Sequence, residues 1–228
     1  MEENISNPTL QEVDVSDELI NHDSIKRDGL SRSHIWAYSV GHFCNDLCAS
    51  QYAFFMTWYL TTVVKLDQHV AGLCLLSGQI ADGFMTPLVG IYSDKFETKR
   101  CGKRMPWYIF GTIVVIPGFA GLFLYSNNDS KSSQYAVYMS LTALFNVGWA
   151  AVQISNMAIV NSLTYSNRRR DYLSNNRNGF TYLANITVLS IALFLFLTMD
   201  NAIAQFRVLS IISLILGLLT SLFYIYKL

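Results

Sequence analysis

From His34 onward the chain alternates between long apolar runs and short polar breaks. Six runs stand out, near 35–63, 70–92, 107–125, 135–160, 179–199 and 206–226. Each approaches or exceeds the ~20 residues with which a helix crosses the hydrocarbon core of a bilayer. Lipid offers no hydrogen bonds to backbone groups, so only helices or closed barrels span it, and these runs are too long and continuous for barrel strands. The pattern predicts an all-α membrane protein with six transmembrane helices over residues 34–228. Residues 1–33 form a polar tail with Glu2, Glu3, Glu12, Asp14, Asp17, Glu18, Asp23 and Asp28. Such a segment buries too little apolar surface to order itself and reads as disordered.

Composition narrows the class. Of 228 residues 52% are hydrophobic and 14% charged, against about 25% charged in ordinary soluble domains. The formal net charge is zero, so there is no strong nucleic-acid footprint. The start, Met1-Glu2-Glu3-Asn4, has no basic region followed by an apolar core and is not a cleavable signal peptide. Cys44, Cys48, Cys74 and Cys101 show neither zinc spacing nor a disulfide framework. Cys44 and Cys48, one helical turn apart, read as small packing residues. No metal site and no cofactor are expected. The chain has no phosphate loop, nucleophile elbow or HExxH, so it is not read as an enzyme.

Charge sets an orientation. Lys26, Arg27 and Arg32 precede the first run. Lys95, Lys99, Arg100, Lys103 and Arg104 follow the second, Arg168, Arg169, Arg170 and Arg177 surround the break before the fifth, and Lys227 ends the sixth. The opposite side holds Lys65, Lys131 and Arg207. By the positive-inside rule both termini are cytosolic. Asn128-Asp129-Ser130 is then a glycosylation sequon on the lumenal or extracellular side.

The apolar runs differ in the polar residues they carry. Asp82 lies inside the second, where an ionisable group costs about 2.5–3.5 kcal/mol on insertion scales and marks a candidate functional site. Gly78, Asp82, Thr86 and Gly90 are spaced by four and share one face. The first run carries His42, Asn45 and Asp46, with His42 and Asp46 able to meet at i,i+4. The fourth carries Asn146, Trp149, Gln153 and Asn156, and the fifth Asn178, Tyr182 and Asn185. Two readings of these stripes stand side by side: hydrogen bonds between helices, typically ~0.6 kcal/mol each, or a shared polar cavity lined by the first, second, fourth and fifth helices. Stripes on all four favour the cavity. The third and sixth helices carry small residues instead and support the others.

After Asp82 the chain turns abruptly basic. Gly90, three residues, Asp94-Lys95 and then Gly102-Lys103-Arg104 resemble, in extended form, the loop between helices 2 and 3 of the major facilitator superfamily. The fuller set Gln79, Ala81-Asp82, Pro87, Gly90, Ser93-Asp94, Gly102 and Pro106-Trp107 is similar to the glycoside-pentoside-hexuronide:cation symporter branch. Gly41-His42-Phe43, Asn45 to Ser50, Gly148 to Ala151, Gln153-Ile154-Ser155 and Ala184 to Thr187 extend the likeness from about His34 to the end. The resemblance implies the N-terminal half of a twelve-helix fold, built as two nested three-helix repeats, with solute held between the halves at the bilayer midplane.

What the resemblance implies for single residues follows the motif. Asp82 corresponds to the acid that helps hold the coupling cation. A second acid of the branch is replaced by Thr86, which weakens a sodium cage and leaves coupling by protons, or none, open. Asp46 corresponds to the substrate-binding acid of helix 1, and Arg177 to a helix 5 arginine that contacts it. His42, Asn45, Gln153 and Asn156 complete the expected substrate set. His42 is open to two readings, a proton relay or a hydrogen-bonded core histidine. Gly90, Asp94, Lys95, Gly102, Lys103 and Arg104 would form a gating loop, with Asp94 paired to cations and to a helix end in the other half. The likeness extends to a lysosomal and melanosomal member of the branch, implying cysteine import into the organelle. The wider branch implies a sugar and a coupled cation, and the plasma membrane as an alternative location. A transport path would need a C-terminal half or a partner chain. A competing reading, resting on length alone, is a non-transporting membrane adaptor of a full-length relative.

Overall fold

The described residues of the computed structural model are 30–95, 97–98, 102–125 and 130–228. The acidic tail before residue 30, Cys101 and the Asn128 sequon lie outside them. Every long element is a helix: α1 Arg32–Val40, α2 Phe43–Trp58, a π-helical turn Tyr59–Val63, then α3 Gln68–Lys95, α4 Met105–Leu124, α5 Lys131–Leu163, α6 Asn167–Thr198 and α7 Ala202–Lys227.

The first apolar run is not one continuous helix, as its hydropathy predicts. It breaks at Gly41-His42 into pieces of 9 and 16 residues, followed by the π-helical turn. The cause is local. A Cβ on Gly41 would strike the Tyr224 ring, and the Gly41 carbonyl accepts a hydrogen bond from Tyr108 Oη at 2.5 Å. Five helices among the described residues, α3 to α7, are each long and apolar enough to cross a membrane. The three pieces of the first run together occupy the sixth predicted span.

Other boundaries follow the sequence chemistry. Ser31 caps α1, its hydroxyl accepting from His34 N. Pro106 sits in the first turn of α4, where its missing N–H is no loss. Asn201 caps α7 by accepting from Ile203 N and Ala204 N at 3.0 and 3.2 Å. The fifth span differs from expectation, because α6 starts at Asn167 rather than near residue 179. Hydropathy marks where a helix enters lipid, and this one continues beyond it through a polar stretch free of Gly and Pro until Gly179.

Between helices in lipid, close packing replaces the hydrophobic drive, and glycine sets the distances. A Cβ on Gly148 of α5 would stand 2.6 Å from Val115 N of α4, and one on Gly111 of α4 would stand 2.7 Å from Val152 N of α5. Gly118 faces the Phe145 backbone in the same seam. On α3, Gly78 lies against the Asn146 amide and Thr142 of α5. On α7, Gly217 lies against Cys44 of α2, and Ser210 accepts from Gln51 Nε2 at 2.7 Å. The predicted small-residue stripe of the last helix is therefore its seam with α2. Phe119, Phe123, Phe145, Phe206, Tyr52 and Tyr59 fill the core around these seams. α5 buries the largest share of its apolar window inside the bundle, and α3 and α6 the smallest.

Gly148→Ala should destabilise the α4–α5 seam by about 1–3 kcal/mol, because its Cβ meets backbone that has nowhere to go. Gly72→Ala, with nothing within 4 Å of a Cβ, should be neutral or stabilising by up to about 1 kcal/mol. Thermal unfolding of the two variants in detergent compares them directly.

Candidate polar solute cavity

The break in the first apolar run places His42 at the head of α2 and Asp46 in its first turn. The spacing then brings them together: His42 Nδ1 lies 2.8 Å from Asp46 Oδ1, with both residues buried at 6% and 7% exposure. The second carboxylate oxygen, Asp46 Oδ2, accepts from Thr181 Oγ1 of α6 at 2.9 Å. Ser50, one turn further on, donates to the Asp46 carbonyl at 2.6 Å and lies in hydrogen-bond contact with the Asn185 side chain of α6. A buried carboxyl is thus hydrogen-bonded at both oxygens, which is what keeping it inside the bundle requires.

These residues open onto a cavity of about 400 Å³ lined by His42, Asp46, Ala49, Ser50, Ala53 and Phe54 of α2, Trp149, Gln153 and Met157 of α5, and Arg177, Asn178, Thr181 and Asn185 of α6. Three of the four expected helices contribute. α3 does not. Asp82 is half-buried on α3, and its Oδ1 accepts only a long hydrogen bond, 3.5 Å, from Thr86 Oγ1. Neither residue lines the cavity. Asp82 shares its face with Gly78, which packs on α5, and with half-buried Thr86, while Ile80, Phe84 and Leu88 expose the other side of α3.

The expected substrate set separates in the same way. His42, Asp46, Gln153 and Arg177 face the cavity together. Asn45 is buried behind His42, with its Nδ2 3.2 Å from His42 Nε2. Asn156 is fully buried and donates to Tyr224 Oη at 3.3 Å, tying α5 to α7. Asn146 is likewise core, bonded to the Thr142 carbonyl at 2.8 Å. Arg177 lines the wall near Asp46, but its guanidinium donates to Asn178 Oδ1 at 3.0 Å, and its Nε is buried without a partner among the described residues. Thr181, rather than Arg177, contacts the carboxylate. The sequence stripe on this helix took Tyr182, whose side chain points outward at 70% exposure. The spacing Asn178, Thr181, Asn185 carries the same helical signal and identifies the inward face.

The cavity therefore offers a carboxylate, a guanidinium, amides and a serine hydroxyl inside an apolar bundle. That mixture matches a small solute carrying both donors and acceptors, such as an ammonium with a carboxylate or a set of neighbouring hydroxyls. Among the described residues no three His, Cys, Asp or Glu side chains gather as for a metal ion.

The described residues of the basic loop bond to one another. Thr98 and Gly102 exchange backbone hydrogen bonds at 3.1 and 3.0 Å. Gly102 takes φ +64°, a left-handed conformation that favours glycine. Arg104 reaches back from the head of α4 to Ser93 and Asp94 at the end of α3. Asp94, expected to find its partners across the molecule, thus has a cation inside its own half. Lys103 and Glu97 pair at 3.8 Å in solvent, a contact of little energetic weight. Gly90 and Lys95 stand on the last turns of α3, and a Cβ on Gly90 would meet nothing within 4 Å.

Comparison with known proteins agrees with this architecture. The family model described as MFS/sugar transport protein matches residues 37–227. Major facilitator superfamily domain-containing protein 12 of Equus caballus is 38% identical over 164 residues, covering 68% of this chain and 34% of that protein. The protein of the same name in Homo sapiens is 37% identical over 160 residues, covering 67% and 33%. Sodium-dependent lysophosphatidylcholine symporter 1 of Mus musculus is 28% identical over 137 residues, covering 56% and 26%. The chain thus aligns with about a third of the length of its nearer curated relatives. The all-helical bundle, its apolar spans and a match over nearly the whole described region make this chain a member of the MFS/sugar transport protein family within the major facilitator superfamily.

Proposed function

We propose that this chain forms the N-terminal half of a secondary transporter that moves a small polar solute by alternating access. The observation that carries the reading is the convergence of Asp46, His42, Gln153, Arg177 and Thr181, from three helices, on one cavity. Cavities of this kind, built where half-bundles meet, are where transporters of this type hold their cargo. The cargo proposed is cysteine, taken into lysosomes or melanosomes, following the sequence resemblance. A zwitterionic amino acid suits a wall that holds a carboxylate and a guanidinium together. A sugar is the second reading, supported by the family description and by the hydroxyl and amide groups of Ser50, Gln153 and Asn185.

In this reading Asp82 is the coupling acid, with the Thr86 hydroxyl beside it. One carboxylate and one hydroxyl are few ligands for Na⁺, so a proton is the proposed coupling ion. The polar cavity and the uncovered face of α3 support the need for that second half, from a longer chain or a partner. Both termini face the cytosol, supported by the excess of cations on that side. The loop tied by Arg104 is proposed to gate the passage.

In the complete transporter that carries this chain, Asp46→Asn should lower uptake of labelled cysteine into isolated organelles by about tenfold or more, the size of a lost charged hydrogen bond. Asp82→Asn should remove the dependence of uptake on a proton gradient. Uptake that ignores both changes takes the two aspartates out of the mechanism. Arg104→Gln should reduce the maximal rate several-fold and leave KM within about twofold, since it touches the loop and not the cavity; initial-rate kinetics separate the two. Epitopes placed at residues 2 and 228 should both react only after the plasma membrane, or the cytosolic face of the organelle, is exposed to antibody.

A further inference from the structure

A second cavity, of about 300 Å³, lies between α1 and α6 and shares no lining residue with the solute cavity. Trp36 of α1 and Tyr172 of α6 bring rings to it, and Gly179 of α6 brings bare backbone. A Cβ on Gly179 would meet nothing within 4 Å. Gly179 and Leu183 stand two positions either side of Thr181, so each is turned from it by roughly 200° around the helix. The groove is therefore on the far side of α6 from Asp46, which Thr181 holds.

Chemistry changes in order along this groove. Arg32 and Arg168, both exposed, stand four residues before Trp36 and Tyr172 and share their helix faces. Trp36 and Tyr172 come next, 60% and 54% exposed, and the Trp36 ring meets Phe180 edge-on at 6.0 Å. Asn175 and Asn176 follow on the α6 wall. They offer donors and acceptors whichever way their amides are turned. Leu183 is next, and Ile186, Leu193 and Leu197 continue its face of α6 as exposed apolar side chains. Cation, aromatic ring, amide and hydrocarbon thus succeed one another over one surface.

We propose that this groove binds an anionic phospholipid. The phosphate lies between Arg32 and Arg168, the glycerol esters beside the rings and amides, and one acyl chain along Leu183 and the apolar face beyond it. Guanidinium groups suit phosphate, Trp and Tyr settle at headgroup level, and basic pockets between membrane helices take acidic headgroups. Charge complementarity selects the anionic lipid. Asp171, the acid next in sequence, is turned about 100° from Tyr172. Arg170 is engaged by Asn161 and Asn167, which leaves Arg168 as the α6 cation on the groove's face. A soluble anion would use the arginines and leave the apolar length idle. A neutral lipid would use the apolar length and leave two cations idle.

The test places the full chain in nanodiscs of phosphatidylcholine with a minor share of phosphatidylserine. Lipids that stay bound on release are identified by native mass spectrometry, and photoactivatable phosphatidylserine maps their site. Phosphatidylserine should be retained about tenfold over its share of the bilayer, with cross-links on the segments holding Trp36 and Tyr172. Arg32→Gln combined with Arg168→Gln should abolish that preference while phosphatidylcholine still binds. Gly179→Leu, whose side chain enters open space, should reduce retention of both lipids. Glycerophosphoserine, the headgroup without chains, should displace neither. Equal retention of the two lipids by the unaltered chain, a preference that survives either variant, displacement by the headgroup alone, or cross-links on other helices overturns the proposal. The solute reading stands or falls separately, because its residues face the other side of α6.

Discussion

A glycine with no room for a side chain decides where the charge of this bundle sits. At Gly41 the Tyr224 ring of α7 occupies the place of a Cβ, and Tyr108 of α4 holds the carbonyl. The helix stops there and begins again at Phe43. The restart puts Asp46 in a first turn, where the unsatisfied N–H groups of a helix favour a negative charge. Without the break, His42 and Asp46 would be two polar residues in mid-helix. With it, they become the start of a second helix that faces a cavity. Packing on one side of the bundle thus fixes the electrostatics on the other.

The polar residues of α5 and α7 show how the same side chains divide between holding the bundle and facing its cavity. Gln51 meets Ser210, and Asn156 meets Tyr224, each bridging two helices within the core. Gln153, one turn from Asn156, turns toward open space instead. Neither residue type nor spacing separates these roles. Direction relative to the neighbouring helix does: Gln51 and Asn156 point at α7, and Gln153 points into the cavity.

Much of this was legible in the sequence. Apolar runs located six spans, the i,i+4 relation paired His42 with Asp46, and the loop pattern flagged Gly102, whose positive φ accounts for it. The failures have physical causes. Hydropathy measures contact with lipid, so it missed that α6 is helical from Asn167. It also passed over the interruption at Gly41, where Tyr224 and Tyr108, both distant in the chain, close on the backbone. A helical wheel with a tolerance of one residue took Tyr182 for Thr181. Asp82 and Asp46 look alike in the sequence, as acids in apolar runs, but only Asp46 lines the cavity.

The extra length of α6 has a mechanical consequence. Its 32 residues extend about 48 Å at the usual rise, well beyond a hydrocarbon core of roughly 30 Å. The surplus carries Arg168, Arg169 and Arg170, and Arg170 ties it back to Asn161 near the end of α5 and to Tyr165 just beyond it. Further along the same helix Thr181 holds Asp46. One continuous helix thus joins the turn after α5 to the carboxylate, so a tilt at either place is shared by the other.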